Sequence, residues 1–125
     1  MLSYVKKDEY LKLTGAESVP ASFAKLVIEA SNYINVQTFG RVDPNNIQEQ
    51  VKYVTCLIID LIYRRNKELE EIGTLKSQSI EGWSEAYATP DEIRNKYENE
   101  MCGTLKIYLS GVTAADGQSL LYRGV

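Results

Sequence analysis

The sequence predicts an all-α protein, a bundle of about four helices. In three long segments the apolar residues recur every three or four positions, the spacing that gives a helix one buried face. Each of the three prolines lies at the start of one of these segments, as is typical of a first helical turn. With 125 residues, the chain is long enough for one compact domain and short for two.

Two helices are predicted before the second proline. The first is short, spans 8–14 with an acidic start and ends at Gly15, so we expect it at the periphery. The second has Ser18 as a candidate cap and Pro20 in its first turn, and it ends at about residue 38. Its apolar face consists of Phe23, Leu26, Val27, Ala30, Tyr33 and Ile34.

A third helix is predicted from Pro44, capped by Asp43, to about residue 71, before Gly73. Its middle is apolar on nearly all sides, so we expect it to be the central helix of the bundle. Its charged end, 64–71, is expected to be a solvated surface with i,i+4 pairs such as Arg64 with Glu68.

The segment 74–89 has no helical face, because its apolar residues alternate with serines and a glycine. Residues 77–80 and 83–87 can pair as a short β-hairpin-like excursion between the last two helices, with Glu81-Gly82 at the turn. A two-stranded hairpin is marginal alone, so it must pack on the helices or on a neighbouring chain. The candidate contact residues are Ser79, Ile80, Trp83 and Tyr87, and the alternative is that Trp83 only covers the core.

A last helix is predicted from Thr89-Pro90 to Gly111. Gly103 lies inside it, where a kink or break is possible because glycine is a poor helix former. The apolar positions of this helix are Ile93, Tyr97, Met101, Leu105 and Tyr108.

The remaining residues, 112–125, are predicted to form an extended C-terminal tail after the helical domain 1–111. The tail contains Asp116-Gly117, a turn signal, and then three large apolar residues followed by Arg123. Apolar residues this close to a terminus either fold back on the domain or contact a partner. The candidate partner-binding residues are Leu120, Leu121, Tyr122 and Arg123.

Catalytic and metal chemistry have little basis in this sequence. Histidine is absent, and the two cysteines are far apart with no Cys-x-x-Cys pair, so neither a zinc site nor a Cys-His nucleophile is expected. Asp60 lies between apolar neighbours and needs a hydrogen-bonding partner, such as a tyrosine hydroxyl or an arginine. An enzyme acting through Asp60 would need a second catalytic group, which no motif supplies. We therefore expect no catalytic residue, cofactor or metal.

Charge and hydropathy exclude further classes of protein. The net charge of −3 gives no basis for holding nucleic acid through its phosphates. The longest apolar run is far too short to span a bilayer. The first residues do not resemble a signal peptide, so we expect a cytoplasmic protein with both cysteines as thiols.

Several parts of the chain together resemble the small head-tail connector, or adaptor, proteins of tailed bacteriophages and prophages. The likeness is carried by Asp43-Pro44 leading into residues 51–60, by 80–87 with its Trp83, and by the C-terminal 117–125. It covers most of the chain.

This resemblance implies a structural virion protein without enzymatic activity, located in the neck of the virion and in the host cytoplasm during assembly. Its subunits would form a ring, typically dodecameric, between the portal protein and a stopper or tail-completion protein. DNA would pass through the lumen without specific binding, and no membrane would be involved. The resemblance suggests that the tail residues 120–123 reach the portal, whereas the excursion lies at subunit contacts or in the lumen.

An alternative from another class is a small helix-turn-helix DNA-binding regulator, because a short turn at 39–43 separates two predicted helices. A recognition helix should present arginine, lysine, asparagine or glutamine to the major groove. The helix after this turn is instead apolar on nearly all sides, which speaks against the alternative.

Overall fold

The structure is a computed structural model that describes residues 3–77, 89–114 and 117–121. Within these ranges it contains four helices, α1 (Lys7–Thr14), α2 (Phe23–Gln37), α3 (Glu49–Ser77) and α4 (Pro90–Leu109). The same ranges contain no β-strand, and Thr113 and Ser119 form an isolated antiparallel bridge. The all-α prediction is confirmed.

Helix α3 is the central element, as its apolar composition predicted. Its 29 residues make it about 43 Å long. It packs against each of α1, α2 and α4, so its buried side chains lie on several sides of the helix. The buried apolar residues of α3 are Val51, Val54, Cys56, Ile58, Ile59, Leu61, Ile62 and Ile72.

Both predicted ends of α3 were wrong. Asp43 and Pro44 belong to a turn, in which Asp43 Oδ1 accepts a hydrogen bond from the Asn45 N–H at 2.9 Å, and the helix begins only at Glu49. Asp-Pro is a turn signal as much as a helix start. Gly73 does not end the helix, which continues to Ser77 because a glycine in right-handed conformation weakens a helix without ending it.

The predicted excursion is corrected in part by this longer helix. Residues 74–77 are helical, so the irregular segment cannot begin at 74. The rest of the predicted hairpin, residues 78–88, lies outside the described residues, as do its candidate contact residues Ser79, Ile80, Trp83 and Tyr87.

The predicted start of α2 was also wrong. Ser18 and Pro20 precede the helix, which begins at Phe23 after Ser22, a residue in the left-handed region with φ 60°. The helix therefore starts where the apolar pattern starts, because burial of Leu26 and Val27 stabilises it more than a local cap signal does.

Helix α1 and the start of α4 follow the sequence closely. Gly15 adopts φ 72° and donates its N–H to the Leu11 carbonyl at 3.0 Å, which is the predicted glycine stop. Thr89 caps α4, since its hydroxyl accepts the Glu92 N–H at 3.1 Å. Helix α4 runs through Gly103 without a break.

Candidate interaction surfaces

The C-terminal turn, defined here as residues 112–114 and 117–121, folds back on the helices. The Leu120 N–H donates to the Val112 carbonyl at 3.0 Å, and the Ala114 N–H donates to the Gln118 carbonyl at 2.7 Å. These residues are therefore paired with each other and do not form the extended chain that the sequence predicted.

The C-terminal turn buries the candidate tail residues Leu120 and Leu121 to different extents. Leu120 is only 1% exposed and belongs to the core, so the fold-back alternative holds for this residue and it is not accessible to a partner. Leu121 is half-buried against the core. Tyr122 and Arg123 lie outside the described residues.

Two side chains from the α2–α3 connection hold the C-terminal turn in place. The Arg41 guanidinium donates to the Ser119 carbonyl at 2.7 Å, and the Gln48 amide donates to the Thr113 carbonyl at 2.7 Å. A cavity of about 220 Å³ lies between the connection and the turn. The position at which the chain leaves residue 121 is therefore fixed by contacts that are remote in sequence.

A groove lies between α2, α3 and α4 and has a volume of about 430 Å³; we call it the α2–α4 groove. Its apolar lining comprises Val36, Ile62 and Met101, of which Val36 is 67% exposed. Glu98 lies at its polar edge. An apolar surface with a partly charged edge is typical of sites that bind another protein segment.

Charged and phenolic groups in the groove are partly paired. Arg65 lies 3.6 Å from Glu29, and the Tyr33 hydroxyl donates to Glu98 at 3.4 Å. Burial, together with the Glu98 carboxylate, raises the pKa of Tyr33, so the phenol keeps its proton and remains a donor. Within the described residues, Glu98 has no cationic group within 4.0 Å.

A second exposed apolar surface lies on the opposite side of α4. Ile107 is 75% exposed and Tyr108 is 43% exposed; Tyr108 packs edge-on against Tyr53 of α3 with ring centroids 5.6 Å apart. Glu98 and Ile107 are nine residues apart, about two and a half helical turns, and therefore project from opposite sides of α4. We call the side that carries Gly103 and Ile107 the outer face of α4.

Two polar groups of α3 have structural surroundings: the half-buried Asp60 carboxylate and the buried Cys56 thiol. The Tyr10 hydroxyl donates to Asp60 Oδ1 at 2.5 Å, which confirms that Asp60 has a tyrosine partner. Burial, with Asp60 and Glu9 nearby, raises the pKa of Cys56 to about 12 and keeps this thiol protonated.

The described part of the chain contains no candidate metal site and no helix that could span a membrane. Across residues 3–77, 89–114 and 117–121, no three His, Cys, Asp or Glu side chains lie together in a way that could hold a metal ion. Nor is any helix in these ranges sufficiently long and apolar to cross a bilayer.

Several residues of these surfaces were not identified from the sequence, among them Val36, Arg41, Gln48, Glu98 and Ile107. For Ile107 a signal was present, since it is an apolar residue off the buried stripe of its helix. Arg41 and Gln48 carried no comparable signal.

Comparison with protein-family models, curated proteins and solved structures finds no match to the chain.

Proposed function

We propose that this protein is a structural head-tail connector of a tailed bacteriophage or prophage, a subunit of a ring between the portal protein and a stopper or tail-completion protein. The observation that carries the proposal is the pair of different apolar surfaces on opposite sides of α4, the α2–α4 groove and the outer face. A ring requires each subunit to offer two different surfaces, one to each neighbour. A two-fold dimer would need only one.

Charge and composition support this role. A net charge of −3 is compatible with a conduit through which DNA slides without tight binding. The half-buried Asp60 accepts a hydrogen bond from the Tyr10 hydroxyl, and burial keeps the Cys56 thiol protonated. The resemblance to the connector family supplies the portal and stopper proteins as partners, and the virion neck as the location.

The C-terminal turn refines which tail residues would reach the portal. Because Leu120 is occupied by the core, the proposed portal contacts are Tyr122 and Arg123, with Leu121 at the edge of the contact. Arg41 and Gln48 hold the C-terminal turn that precedes Tyr122 and Arg123 in the chain. The excursion residues Ser79, Ile80, Trp83 and Tyr87, with their proposed hairpin pairing, remain the proposed contacts between subunits or with the lumen.

The helix-turn-helix alternative gains no support from the geometry. Residues 38–48 connect α2 and α3, whereas a helix-turn-helix has a turn of about three or four residues. The helix that would read DNA is α3, which packs against all three other helices. Its apolar sides are therefore occupied by the protein itself.

The test is binding of the purified full chain to the portal protein encoded in the same phage or prophage genome. We expect co-purification, and a ring below the portal in electron micrographs of the complex. A variant ending at Leu121 keeps Leu120 in the core and should bind more weakly, whereas Lys12→Ala, at an exposed position of α1, should bind like the full chain.

Absence of any complex between the full chain and the portal would overturn the connector proposal. Equal binding by the variant that ends at Leu121 would instead show that Tyr122 and Arg123 are not the portal contacts.

A further inference from the structure

We propose that the outer face of α4 in one copy packs into the α2–α4 groove of a second copy, with Ile107 entering the groove beside Val36. The inference rests on the proposed ring function and deepens it, because it names the two surfaces that meet at each subunit contact. A glycine, a groove and a pair of charges in the described residues support this contact.

Gly103 lies on the outer face of α4, where the packing of one copy does not require a glycine. A glycine inside a helix destabilises it by about 1 kcal/mol relative to alanine. A Cβ added at Gly103 would have nothing within 4 Å. Gly103 and Ile107 are four residues apart and share one side of α4. A glycine at such a place lets another backbone approach closely.

The groove provides the matching surface. It is concave, with a volume of about 430 Å³, and its apolar lining includes Val36, the second most exposed large apolar side chain in the described residues. Ile107, with 75% exposure, is the most exposed. Burying the two side chains against each other removes both from water and is favourable by the hydrophobic effect.

Charge complementarity selects this pairing. Lys106, next to Ile107, is exposed and has no carboxylate within 4.0 Å among the described residues. Glu98 at the groove edge has no cationic partner among them either, since Arg65 lies against Glu29. Packing Ile107 into the groove brings Lys106 of one copy towards Glu98 of the other.

A two-fold contact between outer faces is the competing arrangement. It would bring the two copies of Lys106 close to each other, which like-charge repulsion disfavours, and it would leave Val36 in water. In the head-to-tail contact, Lys106 lies towards Glu98 and Val36 is removed from water. One outer face and one α2–α4 groove stay open at the ends of the assembly, so that further copies can add.

Site-specific cross-linking tests this contact in the full chain. Cys102 is changed to Ser in every variant, so that the thiols introduced at Val36 and Ile107 are the only accessible ones in the described part of the chain, where Cys56 is buried. With a short bis-maleimide, Val36→Cys/Ile107→Cys should give a ladder of oligomers. Each single variant should remain monomeric, and a mixture of the two single variants should give a dimer and no longer species.

The matched control pairs Ile107→Cys with Lys12→Cys, at an exposed position of α1, and should give no ladder. Val36 and Ile107 are both exposed, so these substitutions leave the core intact, and circular dichroism checks the fold. Dimers from Ile107→Cys alone would overturn the proposal in favour of a two-fold contact. Absence of a ladder from the double variant would also overturn it.

Gly103→Ala tests whether the glycine serves the proposed contact between copies or the fold of a single copy. We expect this substitution to raise the urea midpoint of the single copy and to lower the cross-linking yield of the double variant. An unchanged yield would show that no backbone approaches Gly103.

Portal binding, measured on the same cysteine variants without the reagent, distinguishes the two proposals. Portal binding that persists without a ladder of oligomers refutes this contact alone. Absence of portal binding by the unmodified chain refutes the connector function.

Discussion

The hydrogen bond of Asp60 could be predicted from the sequence only in part. The sequence predicted that a carboxylate between apolar neighbours needs a hydrogen-bonding partner, and the Tyr10 hydroxyl provides it. The identity of the partner was beyond prediction, because Tyr10 lies on α1 and meets Asp60 only when α1 packs on α3. The requirement for a hydrogen-bonding partner could be inferred from the neighbours of Asp60 in the sequence, whereas the identity of that partner depends on tertiary packing.

Tyr10→Phe is expected to destabilise the protein by about 1.5–3 kcal/mol, the usual contribution of a hydrogen bond to a charged group. The ring still fills its place beside Phe23, so the loss comes from the hydroxyl. Urea denaturation measures it. Tyr53→Phe is the matched control on α3, since its ring contact with Tyr108 does not need the hydroxyl, and it should change stability by no more than about 0.5 kcal/mol. Equal effects of the two substitutions would contradict the role of the Tyr10 hydroxyl.

The two thiols are expected to differ in reactivity. Cys56 is fully buried and its pKa is raised to about 12, so a disulfide reagent should modify it only after unfolding. Cys102 is half-buried and should react in the folded protein. Titration with Ellman's reagent should give one thiol in buffer and two in guanidinium chloride. Cys102→Ser should remove the reaction in buffer, and a fast-reacting thiol that survives this substitution would contradict the burial of Cys56.

At the scale of elements, the helices were predicted better than their starts. The spacing of Leu26, Val27, Ala30 and Ile34 correctly indicated α2, because all four face the core. The starts assigned to Pro20 and Pro44 failed, because proline and cap residues fit turns as well as first helical turns. Where a local signal and the apolar pattern disagreed, burial decided the boundary.

The C-terminal turn could not be predicted at this scale. Its hydrogen bonds join Arg41 to Ser119 and Gln48 to Thr113, residues distant in sequence and without a shared motif. The sequence did show the apolar run that begins at Leu120, and it left open whether this run folds back. Burial of Leu120 answers that question for this residue.

Leu120→Ala is expected to destabilise the protein by about 2–5 kcal/mol, the usual effect of removing a fully buried leucine side chain. Leu121→Ala is the matched control one residue away and should have a smaller effect, because Leu121 is only half-buried. Thermal and urea denaturation of both variants measure the difference. A Leu120→Ala protein as stable as the control would contradict the packing of the C-terminal turn on the core.

At the scale of the whole molecule, the sequence predicted an all-α domain around a central helix, and both features are present. It did not predict the two apolar surfaces on either side of α4. The exposure of Val36 and Ile107 depends on how α2 and α4 pack on α3, and helical periodicity does not specify that packing. The surfaces that carry the functional proposal therefore required the three-dimensional arrangement.

The molecule as a whole should lose stability at alkaline pH. Burial is the largest cause of raised pKa values in Tyr4, Tyr10, Tyr33 and Tyr97, the last to about 12. The folded state keeps these protons while the unfolded state releases them near the ordinary value of 10.0, so stability falls as the pH rises through that value. The Cys56 thiol adds to the fall from its ordinary value of 9.0.

Urea midpoints measured across this alkaline range test the expectation, with the ultraviolet absorbance of tyrosinate reporting ionisation. Ionisation of the shifted tyrosines should coincide with unfolding. Tyr10→Phe should reduce the slope of stability against pH, because one of the shifted groups is removed. A midpoint that stays constant while the tyrosines ionise would contradict their burial.

The position of α3 has a consequence for how the chain folds and exchanges its amide protons. Because α1, α2 and α4 make their main helix contacts with α3, none of them can keep its packing once α3 opens. We therefore expect cooperative unfolding around α3, with the amides at Val54, Ile58 and Ile59 exchanging with solvent only when the whole domain opens; native-state hydrogen exchange measures this. The proposed ring contact would then join two surfaces that are both formed before a neighbour arrives.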